Sequence, residues 1–423
     1  MHNLLSKAKE LDTKDPLKEV RNQFNLDPNC AYLDGNSLGV LPLKTIDIIK
    51  ETVENQWGKR LIRSWNEDWL ASHERTAAKI AKLINAEPDE VIVCDSVSVN
   101  LYKLAFAALK AQQQKAKILT DSLNFPSDLY IFQSLIKDSF PQNSLKVIDQ
   151  NDVTNQNDKV VNSIGKDTAL VSLSHVAYKT SFKYDVATIN EKARKVGALN
   201  LWDFSHSIGA VRIDVKEMGI DMAVGCTYKF LNGGPGAPAF IYIKKELSTK
   251  LRNPISGWFS HAQPFDFDQN FEASQTAKGF LVGTPPILSL KGIESGVDIF
   301  INYDQNLIWQ KSEKLFNYFN EMFVLELEQL GFQIGTPLEF ENRGSHIALL
   351  HEEAYRINLS LINPYKKDEK VFITDHRPPN IIRIALTPLY QSFEELYDLV
   401  VRLKKIVNHK EFLNHSIEKA GVI

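Results

Sequence analysis

The chain has 423 residues, 43% hydrophobic and 24% charged, so it can bury a sizeable core, and its length suits two or three domains. Lysine and arginine total 49 against 52 aspartates and glutamates, a formal net charge of -3. That balance gives no electrostatic footprint for a nucleic acid or an anionic membrane and leaves small metabolites as the expected partners.

The N-terminal stretch "MHNLLSKAKELDTKDP" spaces Leu4, Leu5, Ala8 and Leu11 for one helical face, with charges between them, and lacks the apolar core and cleavage site of a signal peptide. No apolar run approaches membrane-spanning length. Cys30, Cys94 and Cys226 show no C-x-x-C spacing, so neither a disulfide framework nor a zinc ribbon is signalled and a cytoplasmic location is expected.

From about residue 91 short apolar runs alternate with helical patterns, as in βαβ units around a mainly parallel sheet. "VIVC" precedes a helical face of Leu101, Leu104, Ala105, Ala108 and Leu109. "KILT" leads through "DSLNFPSD" into a helix whose first turn suits Pro126. "TALVSLS" precedes a helix opened by Asp185, and "LNLWDFS", "DMAVGC" and the hairpin-like "APAFIYIKKEL" follow. Beyond "GTPPILSL" the pattern turns to longer helices, separated strands and a last helix near Phe393 to Val407. The expected organisation is an N-terminal segment over 1–60, a large α/β domain over 61–300 with a mainly parallel sheet flanked by helices, and a smaller α+β domain over 301–423.

In an open parallel sheet ligands bind beyond the carboxyl ends of the strands, and the residues there are unusually polar. They include Asp95 to Ser98, Asn124 to Asp128, Ser174-His175, Asp203 to His206 and Thr227 to Lys229. Lys229 sits in "TYKFLNGGPG", between apolar runs where a lysine loses solvent and becomes a usable amine. Together these residues match what pyridoxal phosphate requires: an amine for covalent attachment, a carboxylate for the ring nitrogen, a stacking face and a phosphate cradle. Lys229 supplies the amine and Asp203, 26 positions earlier, the carboxylate. Ser96 and Ser98 open a helix whose free N–H groups favour a phosphate. Taken singly, Asp203 and the serines would be ordinary helix caps, and His206 and Phe125 ordinary core residues.

The ordered segments "YLDGNSLG", "WGKRLIRSWNEDW", "NFPSD", "LSHVAYKTS", "WDFSHSIGA", "CTYKFLNGGPGAPAF", "GTPPILSL" and "IIRIALTPLY" span residues 32 to 390. As a set they resemble the kynureninases, pyridoxal-phosphate enzymes of the aspartate-aminotransferase fold. The resemblance implies that Lys229 carries the cofactor, Asp203 holds its ring nitrogen and Phe125 stacks on it, with Pro126 and Ser127 beside that face. It implies that Val97, Ser98, Asp128, Ser174, His206 and Tyr228 complete the cofactor shell, with Trp258 and Thr284 contributed at a homodimer interface. It further implies that Arg383 receives the substrate α-carboxylate, that Asn36 and Ser37 lie on a substrate-side turn, and that Trp57 walls the substrate's aromatic ring. The implied reaction is hydrolysis of L-kynurenine, and less well 3-hydroxykynurenine, to anthranilate and L-alanine in tryptophan catabolism; Tyr228, a neutral phenol beside the cationic site, is the expected proton donor.

Rival readings are weaker. Gly35-x-Ser37-x-Gly39 satisfies the serine-hydrolase elbow, but the helical pattern begins only after Pro42. Gly234-x-Gly236-x-x-Ala239 is followed by a strand where a dinucleotide fingerprint needs a helix, and "HEEAY" lacks a zinc site's second histidine, so no metal is expected. Within the same cofactor class, a desulfurase needs a reactive cysteine on a mobile loop, whereas the three cysteines lie in or beside apolar runs. An aminotransferase or a non-catalytic cofactor-binding homologue remains as an alternative.

Overall fold

The computed structural model describes residues 2–150, 156–366 and 369–418. The chain forms two compact units: Met1–Lys44, Lys179–Phe182 and Asn302–Ile423 make one, and Thr45–Tyr178 with Lys183–Ile301 make the other.

β1 (Cys30–Tyr32) belongs to the first unit. The second unit is built on a seven-stranded sheet of β2 (Val91–Val93), β3 (Lys117–Asp121), β4 (Ser144–Ile148), β5 (Thr168–Ser174), β6 (Leu199–Asp203), β7 (Met222–Gly225) and β8 (Phe240–Ile243), in the order β2-β8-β7-β6-β5-β3-β4. Pairings from β4 through β7 are parallel, and β8 lies antiparallel to both its neighbours, so it alone runs against the rest. Every residue of β5 is buried, as expected for an inner strand with both faces covered. The helix Val97–Ala111 is started by Ser96, whose side chain accepts from the Val99 N–H, and it buries Leu101, Leu104, Ala105, Ala108 and Leu109 on one face. Each fully buried leucine contributes about 1.5–3 kcal/mol of transfer free energy, which outweighs the helix propensity of the two β-branched residues in the first turn.

β4 is the strand of this sheet that the sequence reading does not contain. It closes the sheet as an edge strand, and only Ile148 of its five residues is buried, so "SLKVI" carries no clear apolar alternation.

In the first unit, β9 (Gln333–Ile334), β10 (His346–Leu350), β12 (Asp375–Arg377) and β13 (Ile381–Ala385) form an antiparallel sheet in the order β12-β13-β10-β9, while β11 (Val371–Ile373) pairs in parallel with β1. Leu315, Phe319, Ile347, Ile382 and Leu396 share its core with Leu4 and Ala8 of the N-terminal helix His2–Lys14. The last helix, Phe393–Asn408, begins at a capping box in which Ser392 Oγ accepts from the Glu395 N–H at 3.1 Å and Glu395 accepts from the Ser392 N–H at 2.9 Å.

Candidate active site

The carboxyl ends of β5, β6 and β7 open on a cavity of about 650 Å³. Val97, Ser98, Phe125, Ser127, Asp128, Ser174, Asp203, His206, Tyr228, Lys229 and Thr284 all border it. The sheet topology explains this convergence, because parallel strands deliver their following loops to one edge.

Lys229 lies in the connection between β7 and β8, which is knitted to itself. The Gly233 N–H donates to the Thr227 carbonyl at 2.9 Å, the Asn232 N–H to the Lys229 carbonyl at 2.9 Å, and Thr227 Oγ1 to the Pro238 carbonyl at 2.7 Å. A Cβ on Gly233 would stand 2.8 Å from the Thr227 carbonyl oxygen, and Gly234 and Gly236 take φ of +89° and +73°. The glycine run is therefore what lets the chain turn back closely after the lysine. Lys229 Nζ lies 2.9 Å from Nε2 of His206, whose loop follows β6.

Asp203 ends β6 and is almost fully buried. Its Oδ1 accepts from the Ser205 N–H at 2.8 Å and from Ser205 Oγ at 2.6 Å. Burial raises its pKa, opposed by those two bonds and by the charge of Lys229. Asp128, in the first turn of the helix Pro126–Asp138, is raised well above the ordinary carboxylate value, first by burial and then by the charge of Asp203. Burial also raises Tyr228, which keeps it a neutral phenol able to donate. Phe125 is 45% exposed and meets Tyr178 edge to face at 5.2 Å between centroids.

Other expected site residues are not among those that line this cavity. Pro126 starts its helix without bordering the cavity. Trp57 is 56% exposed, and Trp258 is exposed in an aromatic group with Phe259, Phe265 and Phe267. Arg383, Asn36 and Ser37 come together in the first unit. Arg383 Nε donates to Asp375 Oδ1 at 2.7 Å, and its Nη2 donates to Asp375 Oδ2 and, at 2.9 Å, to Ser37 Oγ. With its amide oxygen turned toward the arginine, Asn36 accepts from Nε at 3.1 Å and Nη2 at 3.0 Å. Sequence reasoning missed Tyr178 at the cavity and Asp375 beside Arg383. Tyr178 stands inside a quoted segment without a role, and Asp375 lies in a polar stretch with no readable period.

Comparison with known proteins decides the family. The aminotransferase class-V family matches residues 31–339, and the kynureninase C-terminal domain matches residues 308–403. The kynureninase of Pseudomonas fluorescens is 38% identical over 405 residues, covering 95% of this chain and 94% of that protein. The chain belongs to the kynureninase family. The kynureninase of Burkholderia mallei (strain SAVP1) is 37% identical over 406 residues, covering 95% of each chain. Among solved structures, a C-DES mutant with glycine covalently linked to its PLP cofactor has a TM-score of 0.79 at 16% identity, covering 91% of this kynureninase-family chain and 98% of its own. An apo cysteine desulfurase from Thermococcus onnurineus NA1 has a TM-score of 0.77 at 19% identity, covering 94% and 99%. At such identities the likeness shows the fold.

The family's cofactor is pyridoxal phosphate, and the donor set fits it. The cavity combines an amine, a buried carboxylate oriented by Ser205, an exposed aromatic face and the serine-rich start of a helix. Among the described residues no group of three His, Cys, Asp or Glu side chains could hold a metal ion.

Proposed function

We propose that this chain acts as a kynureninase, hydrolysing the Cβ–Cγ bond of L-kynurenine, and less well of 3-hydroxykynurenine, to give anthranilate and L-alanine in tryptophan catabolism. The observation that carries this reading is the pairing of Lys229 with His206, beside buried Asp203, in a chain of this family. When bound, pyridoxal phosphate supplies the electron sink that makes Cα–H and Cβ–Cγ cleavage accessible. Lys229 would anchor the cofactor and, as a free amine, would take the substrate's Cα proton. Asp203 keeps a proton on the cofactor's ring nitrogen, and its Ser205 bonds stop it from rotating away. Ser96, Val97 and Ser98 would hold the cofactor's phosphate at the helix start, and Phe125 would cover its ring face. His206 holds the Lys229 amine in place. Tyr228, kept neutral, donates a proton to the alanyl fragment.

Arg383 receives the α-carboxylate, with Asn36 and Ser37 beside it, and Trp57 and Thr284 set the preference for the ring without a hydroxyl. The exposed group of Trp258, Phe265 and Phe267 supports a homodimer, because contiguous exposed aromatics mark protein contacts. A cytoplasmic location accords with three free cysteines, two of them buried, and with the absence, among the described residues, of a helix long and apolar enough to cross a membrane. The decisive experiment is incubation of purified protein with L-kynurenine while anthranilate fluorescence is followed. No anthranilate from cofactor-loaded protein would refute the assignment.

A further inference from the structure

The loop after β1 and the β12–β13 pair carry an ion cluster whose charge is balanced only until another carboxylate arrives. Asp375 is 2% exposed and is held by two guanidiniums, with Arg377 Nη2 at 2.7 Å from Oδ2 and Arg383 bonded to both oxygens. Ser37 Oγ donates to Asp375 Oδ2 at 3.1 Å while accepting from Arg383. The Nε and Nη2 edge of Arg383 is thus already filled by this chain's own groups. A second carboxylate, Asp34, lies in the same loop as Ser37, and its buried Oδ1 has no hydrogen-bond partner.

Asp34 is faced by Tyr32 on β1, Ser37 in its own loop, Asp375 and Arg377 on β12, Arg383 on β13 and Tyr390 beyond β13. Burial holds both tyrosines neutral. The charged members are therefore two arginines and two aspartates. An amino-acid substrate adds a third carboxylate, and a buried cluster tolerates an unbalanced charge poorly.

We propose that binding of the substrate α-carboxylate at Arg383 is coupled to uptake of one solvent proton by Asp34. Two guanidiniums then face Asp375 and the ligand carboxylate, and Asp34 remains as a neutral acid. This rests on the reading that Arg383 receives the α-carboxylate. Before ligand arrives, burial and then the charge of Asp375 already push Asp34 up to about 7, against the pull of Ser37, Arg383 and Arg377. A further negative charge nearby pushes it higher. Since the ligand-bound form prefers the protonated acid, affinity is full below about 7 and declines above it. The decline approaches ~10-fold per pH unit until the ligand-bound pKa is passed.

The test uses the cofactor-loaded enzyme and the α-deaminated analogue of L-kynurenine, which keeps the carboxylate, ketone and aniline ring. Calorimetric titration at about pH 8 in buffers of different ionisation heat reads protons taken up per ligand bound. The expected result is roughly half a proton or more in the wild type and close to none in Asp34→Asn, with binding retained. Equal uptake in both proteins, or none in the wild type, overturns the proposal. Should Asp34→Asn fail to fold, the wild-type Kd profile from about pH 6 to 9 decides, because a flat profile overturns the coupling. Arg383→Ala separates the two claims. Analogue binding that survives it unchanged rejects the carboxylate placement, and binding lost there but without proton uptake in the wild type rejects only the coupling.

Discussion

Replacing Asp203 by asparagine isolates the charge at the ring-nitrogen position. Both Ser205 bonds fall on Oδ1, so the asparagine Oδ1 can accept them unchanged, and the substitution alters only the second atom of the group. In the proposed site a carboxylate oxygen would there become an N–H donor facing a protonated ring nitrogen. Hydrogen bonds to charged groups contribute about 1.5–3 kcal/mol, and breaking a buried charged pair costs about 3–5 kcal/mol. Retained shape and Ser205 bonding place the expected loss near ~2–4 kcal/mol, or roughly 30- to 1000-fold in kcat/KM for L-kynurenine. The cofactor-free protein should respond in the opposite sense. Burial raises the pKa of Asp203, and an acid with a raised folded-state pKa costs stability once the pH exceeds its unfolded value, so the neutral amide removes that cost. Anthranilate fluorescence measures the kinetic loss, cofactor titration the weaker binding, and thermal melting an unchanged or higher Tm for the cofactor-free variant. A kcat/KM within about threefold of wild type would refute the assigned role of Asp203.

Lys229→Ala should leave no covalent cofactor adduct after borohydride reduction, as read by mass spectrometry, and should lower turnover by about 1000-fold or more. Arg383→Ala should lower kcat/KM by roughly 10- to 100-fold, with Arg383→Lys failing to restore it because a point charge cannot replace a fork; wild-type kinetics in Arg383→Ala would place the carboxylate elsewhere. His175 is buried against Trp202 and Phe204 and depressed by burial to about 3 from an ordinary 6.5. As a base with a depressed folded-state pKa it costs nothing above that ordinary value and progressively destabilises the fold below it, by about 1.4 kcal/mol per pH unit. Denaturant titrations should therefore show a flatter acid limb for His175→Phe than for wild type, and parallel limbs would refute the cause.

The central sheet was legible because its inner strands are continuous apolar runs followed by polar loops, as in β5 and β6. β4 was not, since an edge strand with four of five residues at least partly solvated leaves neither a run nor an alternation. The cavity at the strand ends was readable because each parallel strand delivers its next residues to the same edge, where Ser98, Asp128, Asp203 and Lys229 all line it. Tyr178 enters that cavity through tertiary structure, where the chain after β5 folds back through the Val176–Lys183 bridge. The Asp34 and Asp375 pair was invisible for a related reason. Its members are 341 positions apart in sequence and meet only because β11 pairs with β1 and β12 pairs with β13.

The fold by itself does not choose the reaction, since desulfurase structures share it at under a fifth identity. The state of this chain's own thiols bears on the choice. A desulfurase nucleophile must be a thiolate within reach of substrate, which requires exposure and an electropositive setting. Cys94 is fully enclosed and pushed up to about 11, chiefly by burial, despite the ammonium of Lys103 at 3.5 Å. Cys226 lies close to the lysine and is likewise raised by burial, which exceeds the opposing charge of Lys229. Cys30 is part-buried at β1 and raised by burial together with Asp27 and Glu395. None of the three is poised as a nucleophile, which is consistent with the proposed chemistry drawing on Lys229 and its neighbours.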